Sequence, residues 1–466
     1  MRNLLAVLVL SVAVPCFMMG GCVGTPFWGN LFWNSNNNDA ATTGDDDTTG
    51  GNTDDTSGGN PDDTNPTGGD ATPDGGGSGE LTVVKTGIPL RFDAGLQCGD
   101  DLIAFGTETA EHSTVGISYV FPSESPTAGT PVPDSDQYDN RNFDAARRWI
   151  YMAGSNWGDI PFQVSVLNVD TQDVTTFDTT DIRLGSLVVA AADPGRLQAD
   201  GNYCVVICDP SEVTDGKMIK VIDVSSGTPT LVSLDQNPTD SVWQVAQVAV
   251  DGTTQKVAVA AEDSLWIYDL THPTAAPQNI VPPNGVGDYQ MEMYGDYIIA
   301  PSYDESGYDV AILIDLAANS VITLNEAEMS YALAIGGDLF AFFSYHDSDD
   351  SVGGAHRAAV GTLPGPSFNK PSMDNYVDGS YTSNGNIGYA QTMCIPPSGD
   401  YVFLADWYLQ YSEGDTSFTV PADPNGTDTY GCPAWDIDCS ENTVGFHSAT
   451  DRTNGEEGVL GYIILN

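Results

Sequence analysis

Short apolar runs, each introduced by a polar or turn residue, recur along most of the chain. They read Asp101-Leu-Ile-Ala-Phe-Gly, Arg148-Trp-Ile-Tyr-Met-Ala, Asn202-Tyr-Cys-Val-Val-Ile-Cys-Asp, Lys256-Val-Ala-Val-Ala-Ala-Glu-Asp, Asp296-Tyr-Ile-Ile-Ala, Asp338-Leu-Phe-Ala-Phe-Phe, Asp400-Tyr-Val-Phe-Leu-Ala-Asp and Thr443-Val-Gly-Phe-His. Runs this short, bounded by turn residues and lacking a helical period, predict strands. Their first apolar residues fall near 102, 149, 203, 257, 297, 339, 401 and 444, a mean spacing of about 49 residues. One propeller blade occupies roughly 40–50 residues. A second run follows at short range: Val164-Ser-Val-Leu-Asn-Val, Ile219-Lys-Val-Ile-Asp-Val, Leu265-Trp-Ile-Tyr-Asp-Leu and Ala311-Ile-Leu-Ile-Asp-Leu, with a polar member at Asn168, Asp223, Asp269 and Asp315.

These units resemble bacterial extracytoplasmic β-propellers of the LVIVD and YVTN-like repeat type, residues 202–234 being the closest match. The resemblance implies an all-β fold, a β-propeller of seven or eight four-stranded blades. Eight units are countable, and seven result if the 401 and 444 units share one irregular blade. Gly458-Val-Leu-Gly-Tyr-Ile-Ile-Leu-Asn reads as a third blade strand, and Glu80-Leu-Thr-Val-Val-Lys as an orphan outer strand. Pairing the orphan N-terminal strand with the last blade would close the ring and hide both sheet edges. Such repeats specify architecture, not activity.

Residues 1–21 are expected to lie outside the fold. Arg2 is a short positive start, and residues 4–14 are apolar except for Ser11. This is a signal peptide pattern, too short to span a membrane as a helix. Met19-Gly20-Gly21-Cys22 follows and resembles a bacterial lipobox, which implies cleavage after Gly21 and a diacylglyceryl thioether on Cys22. With Val23 after the Cys, resemblance to sorted lipoproteins favours an extracytoplasmic, lipid-anchored location at the outer membrane or cell surface. Residues 22–79 read as a tether: Asn, Asp, Gly, Thr, Ser and Pro dominate from Asn34, and residues 39–80 hold eleven acids. Such a segment cannot bury enough apolar surface to offset chain entropy. As a coil of about 45 residues it would span ~35–40 Å. Residues 80–466 form the propeller domain.

Charge narrows the partners. The 466 residues carry 65 Asp and Glu against 14 Lys and Arg, a formal net charge of −51. Nucleic-acid binding needs a basic footprint that this composition cannot supply. Direct electrostatic docking on an anionic bilayer fails for the same reason, so the lipid on Cys22 is the expected membrane attachment. The protein is expected to be monomeric.

Candidate chemistry is sparse. An Asp that recurs at 223, 269 and 315 suits a turn cap in every blade better than a singular active site. The five histidines show no metal spacing. Next to His346, Asp347, Asp349 and Asp350 could hold a weakly bound structural Ca²⁺, although no Gly stands at the turn position and no Glu closes the loop. No other cofactor is expected. In Cys432-Pro-Ala-Trp-Asp-Ile-Asp-Cys439 a short loop, marked by Gly431 and Pro433, makes Cys432 and Cys439 a candidate disulfide. Cys204 and Cys208 lie on one face of a predicted strand, too far apart to bond to each other. No catalytic residue is assigned, since no nucleophile elbow, H-E-x-x-H or phosphate loop occurs. Two functions remain: a non-catalytic binding or scaffolding module for an envelope protein or glycan, and an extracellular polysaccharide hydrolase or lyase with its site in the central funnel.

Overall fold

Each apolar run first located in the sequence is the second strand of a four-stranded antiparallel sheet. In the computed structural model these strands are Leu102–Glu108, Trp149–Gly154, Tyr203–Ile207, Lys256–Ala261, Tyr297–Tyr303, Leu339–His346, Tyr401–Asp406 and Thr443–Ala449. The structure describes residues 81–465 except 91–94, 109–114, 136–137, 155–162, 178–181, 183–196, 212, 241–243, 288–289, 304–308, 325–329, 347–354, 364–372, 376–391, 407, 414–415, 420–435 and 450–457. No helix of the described residues is long and apolar enough to cross a membrane.

The middle of each of these strands is apolar because both faces of each sheet are covered. In Tyr203–Ile207, Tyr203, Val205 and Ile207 pack with Val248, Val250 and Val257 of the following sheet. Cys204 and Val206, with Cys208 beyond them, pack with Tyr151, Val164 and Val166 of the preceding one. Full burial of one such aliphatic side chain contributes about 1.5–3 kcal/mol. Every sheet is thus wedged between two others.

Eight sheets result, here called blades: 96–131, 138–177, 197–233, 245–280, 292–323, 330–375, 392–419 and 437–464, numbered 1 to 8. The 401 and 444 units are therefore separate blades, 7 and 8. Within blades 1–7 the strands are ordered as in the sequence. The first strand of each blade lies beside the first strand of the next, and blade 8 returns to blade 1. A buried cluster fills every junction, including that of blades 8 and 1, where Leu460 and Tyr462 meet Leu96, Ile103 and Phe105. The described residues form an eight-bladed β-propeller.

Blade 8 takes its fourth strand from the other end of the domain. Val83–Leu90 pairs antiparallel with Gly458–Ile464 in the register Val83↔Ile463, with an irregularity between Lys85 and Pro89. Thr86 Oγ1 donates to Leu460 O at 2.8 Å beside that irregularity.

The antiparallel order also sorts the connections onto two faces. First-to-second and third-to-fourth turns share one face, and second-to-third loops and blade-to-blade crossings share the other.

Candidate functional site

The polar groups nearest the axis belong to the first strands. Aligning the blades on the turn that ends each first strand places Gln97, Asp144, Gln198, Ala249, Glu292, Ala334, Cys394 and Asp438 in one slot, opposite the third residue of the second strand. The side chain in this slot points to the following blade. Asp144 Oδ2 accepts from the Ala199 N–H of blade 3 at 2.6 Å. Asp438 Oδ2 accepts from the Cys98 N–H of blade 1 at 2.6 Å. Glu292 Oε2 accepts more loosely, at 3.4 Å, from the Ile335 N–H of blade 6. In each case the donor stands one residue nearer the turn than the slot of its own blade.

A second tier of ties lies at the turns. Asp200 Oδ2 accepts from Gly252 N–H at 2.6 Å, joining blades 3 and 4. Asp251, 1% exposed, accepts from Thr254 N–H at 2.7 Å and from Gly295 N–H of blade 5. Lys256 Nζ meets Asp296 Oδ1 at 2.5 Å across the same junction. Ser440 Oγ donates to Gly99 O at 2.7 Å, from blade 8 to blade 1. Between blades 6 and 7 no side chain fits: Gly337 and Gly399, both at positive φ, face each other so closely that a Cβ on Gly337 would stand 2.6 Å from the Gly399 Cα.

Electrostatics follow from this crowding. Burial pushes the Glu292 carboxyl up to about 8, with the Asp438 charge adding to it. Burial likewise pushes Asp438 up to about 6, against the N–H donors of Cys98 and Cys439. Asp144 is also raised well above its ordinary value by burial. Glu292 and Asp438 each retain a little solvent-accessible surface, but the protein packed around them excludes most of the water that would stabilise the charge. Each of the three carboxyls is engaged with the main chain of its neighbour.

The recurrent polar residues behave as turn caps. Asp223 Oδ1 accepts from Ser225 N–H at 2.8 Å, Asp269 Oδ1 from Thr271 N–H at 2.8 Å, and Asp315 Oδ1 from Ala318 N–H at 2.8 Å. Asn168 Oδ1 does the same for Asp170 N–H at 2.9 Å. All four end third strands on the short-turn face.

Of the other residues singled out in the sequence, Cys22, Asp347, Asp349, Asp350 and Cys432 lie outside the described residues. Cys439 is on the first strand of blade 8, beside Cys394 of blade 7. Among the described residues no group of three or more His, Cys, Asp or Glu is placed to hold a metal ion. The slot carboxylates escape sequence reading because no fixed spacing relates Asp144, Glu292 and Asp438 along the chain. Only alignment on the turns, which brings Asp144, Glu292 and Asp438 into one column, makes them visible.

No protein-family model and no curated protein matches the chain. Solved structures match it at low identity. The β-propeller domain of the Trilobed protease from Pyrococcus furiosus, reported with an open velcro topology, is 9% identical with a TM-score of 0.41, over 80% of this chain and 93% of that one. A prolyl endopeptidase is 10% identical with a TM-score of 0.45, over 77% of this chain and 55% of that one. PorZ, a bacterial surface component of the type-IX secretion system of Porphyromonas gingivalis, is 11% identical with a TM-score of 0.38, over 80% of this chain and 43% of that one. The chain thus spans about half the length of the last two.

Proposed function

We propose that the chain is an exported envelope lipoprotein, held by a lipid on Cys22, whose propeller is a non-catalytic binding module for an envelope protein or glycan. One observation carries this reading: the axial carboxylates Asp144, Glu292 and Asp438, with Asp200 and Asp251 at the turns, accept from the main chain of the neighbouring blade and so serve the ring itself. A rigid ring whose blade-to-blade connections share one face suits recognition.

The tether fits that role. A spacer spanning ~35–40 Å lets an anchored domain reach a partner beyond the membrane surface. At a net charge of −41 for residues 81–466, association with a cationic or neutral surface should be salt-sensitive in its on-rate. Anchoring is tested by Cys22→Ser, which should release the full chain into the soluble extracytoplasmic fraction. Retention in the membrane after signal cleavage would overturn the lipid reading. Binding is tested by passing the full chain over a panel of envelope polysaccharides, glycosides and proteins. Retention without turnover is expected. Turnover abolished by Glu292→Gln or Asp438→Asn would move the assignment to a glycan-cleaving enzyme.

A further inference from the structure

The junction between blades 7 and 8 differs from those its slot position would suggest. In blades 2, 5 and 8 the slot opposite the third residue of the second strand sends a carboxylate to the residue opposite the second such residue in the next blade. In blade 7 that slot holds Cys394, and the residue it addresses in blade 8 is Cys439. The two side chains share one junction cluster with Phe403, Ile437 and Val444. Both are free thiols in this structure, and each shifts the titration of the other. Cys98, in the neighbouring blade 1, stands near enough to act on both thiols, but its own Sγ donates to Asp438 O at 3.2 Å.

We infer that Cys394 and Cys439 are the partners of an inter-blade disulfide that covalently staples blade 7 to blade 8, in place of the Cys432–Cys439 bridge that sequence spacing suggests. The chemistry is a thiol–disulfide exchange. A thiolate of the pair attacks an external disulfide, and the second thiolate displaces the mixed partner. One S–S bond forms between the cysteines, the external disulfide takes the two electrons, and with the two protons it leaves as two thiols. Burial pushes the Cys394 thiol up to about 11 and Cys439 well above its ordinary value. Little thiolate therefore exists in the folded, reduced protein, and the exchange belongs to the chain while it folds. Once closed, the bridge is shielded from reductants by the same packing.

The staple also has a physical function at this site. A carboxylate in the blade 7 slot would stand near Asp438 and Glu292, whose charges already raise both thiols. A neutral link joins the blades there without adding a further buried negative charge.

The full chain would be refolded with oxidised glutathione, so that the geometry is tested apart from export, and in parallel recovered from cells with its own leader. Non-reducing peptide mapping by mass spectrometry, with cleavage at Asp436 to separate Cys432 from Cys439, should return a Cys394–Cys439 link. A Cys432–Cys439 or Cys98–Cys439 link, or Cys394 recovered as a thiol after refolding, would overturn the inference. The bridge in refolded protein but not in cell-derived protein would count against the export reading and leave the staple standing. Reduction should lower the Tm of the oxidised protein by on the order of 5 °C. Cys394→Ala should lose that response, and an unchanged response would again overturn the inference.

Discussion

On one face of the propeller the chain turns within two residues between first and second strands in blades 1, 2, 3, 5 and 6; on the other, blades 2, 6 and 7 end at 177, 375 and 419, and the blades that follow begin only at 197, 392 and 437. The first face is where Asp200, Asp251, Ser440 and the Gly337–Gly399 contact join neighbours. Its sequence is constrained twice, by the turn itself and by the adjoining blade. The second face has strand ends as its fixed points and few repeated residues. Changes on the short-turn face therefore act on the ring itself, whereas the second face is tied less closely to the neighbouring blade.

The largest effect on the short-turn face is expected from Gly337→Val. A branched side chain at φ 54, with its Cβ 2.6 Å from the Gly399 Cα, should cost at least ~3 kcal/mol by strain and forced separation of blades 6 and 7. Denaturant unfolding of the full chain measures it, and a loss under ~1 kcal/mol would show that the junction gives way freely. Next in size is Asp251→Ala, which leaves the N–H groups of Thr254 and Gly295 without their acceptor and should cost about 2 kcal/mol. The exposed cap variant Asp269→Ala should cost no more than ~0.5 kcal/mol, which separates ties between blades from caps within them.

pH sharpens the comparison at the axis. Glu292 and Asp438 have folded-state values above those of the open chain, about 8 and about 6. The folded protein therefore holds protons that the unfolded chain has released, and stability should fall as pH rises through the window from about 4 to about 8. The Tm is expected to drop by several degrees across that range, and Glu292→Gln should flatten its upper part. A Tm that rises from pH 5 to pH 8 would mean that the N–H donors, not burial, dominate these carboxyls. The smallest effect is expected on the long-connection face. Four Gly/Ser residues inserted between 376 and 391 should change stability by less than ~0.5 kcal/mol, read as an unshifted denaturation midpoint.

Much of the architecture is legible in the sequence, because second strands buried on both sides must be continuously apolar. The runs beginning at 102, 149, 203, 257, 297, 339, 401 and 444 fall within one residue of the observed second strands. The recurrent Asp could be read as a cap from its period alone. The axis could not. Strands such as Glu292–Tyr294 and Ile437–Cys439 have three residues each, too few to show a pattern, and their neighbours in space are some 40 residues away or at the far end of the domain. The same holds for Cys394 and Cys439, which no local spacing brings together. Their meeting depends on the register of two blades.

The pairing of Val83–Leu90 with Gly458–Ile464 has a consequence for how the molecule is made. The hydrogen bond from Thr86 to Leu460 joins residues 374 apart. During synthesis the first of these strands emerges early and must wait, unpaired, while seven blades assemble behind it. Blades 1 to 7 can each form from contiguous chain, but blade 8 is complete only when both strands are present. The final step of folding is therefore the least local one.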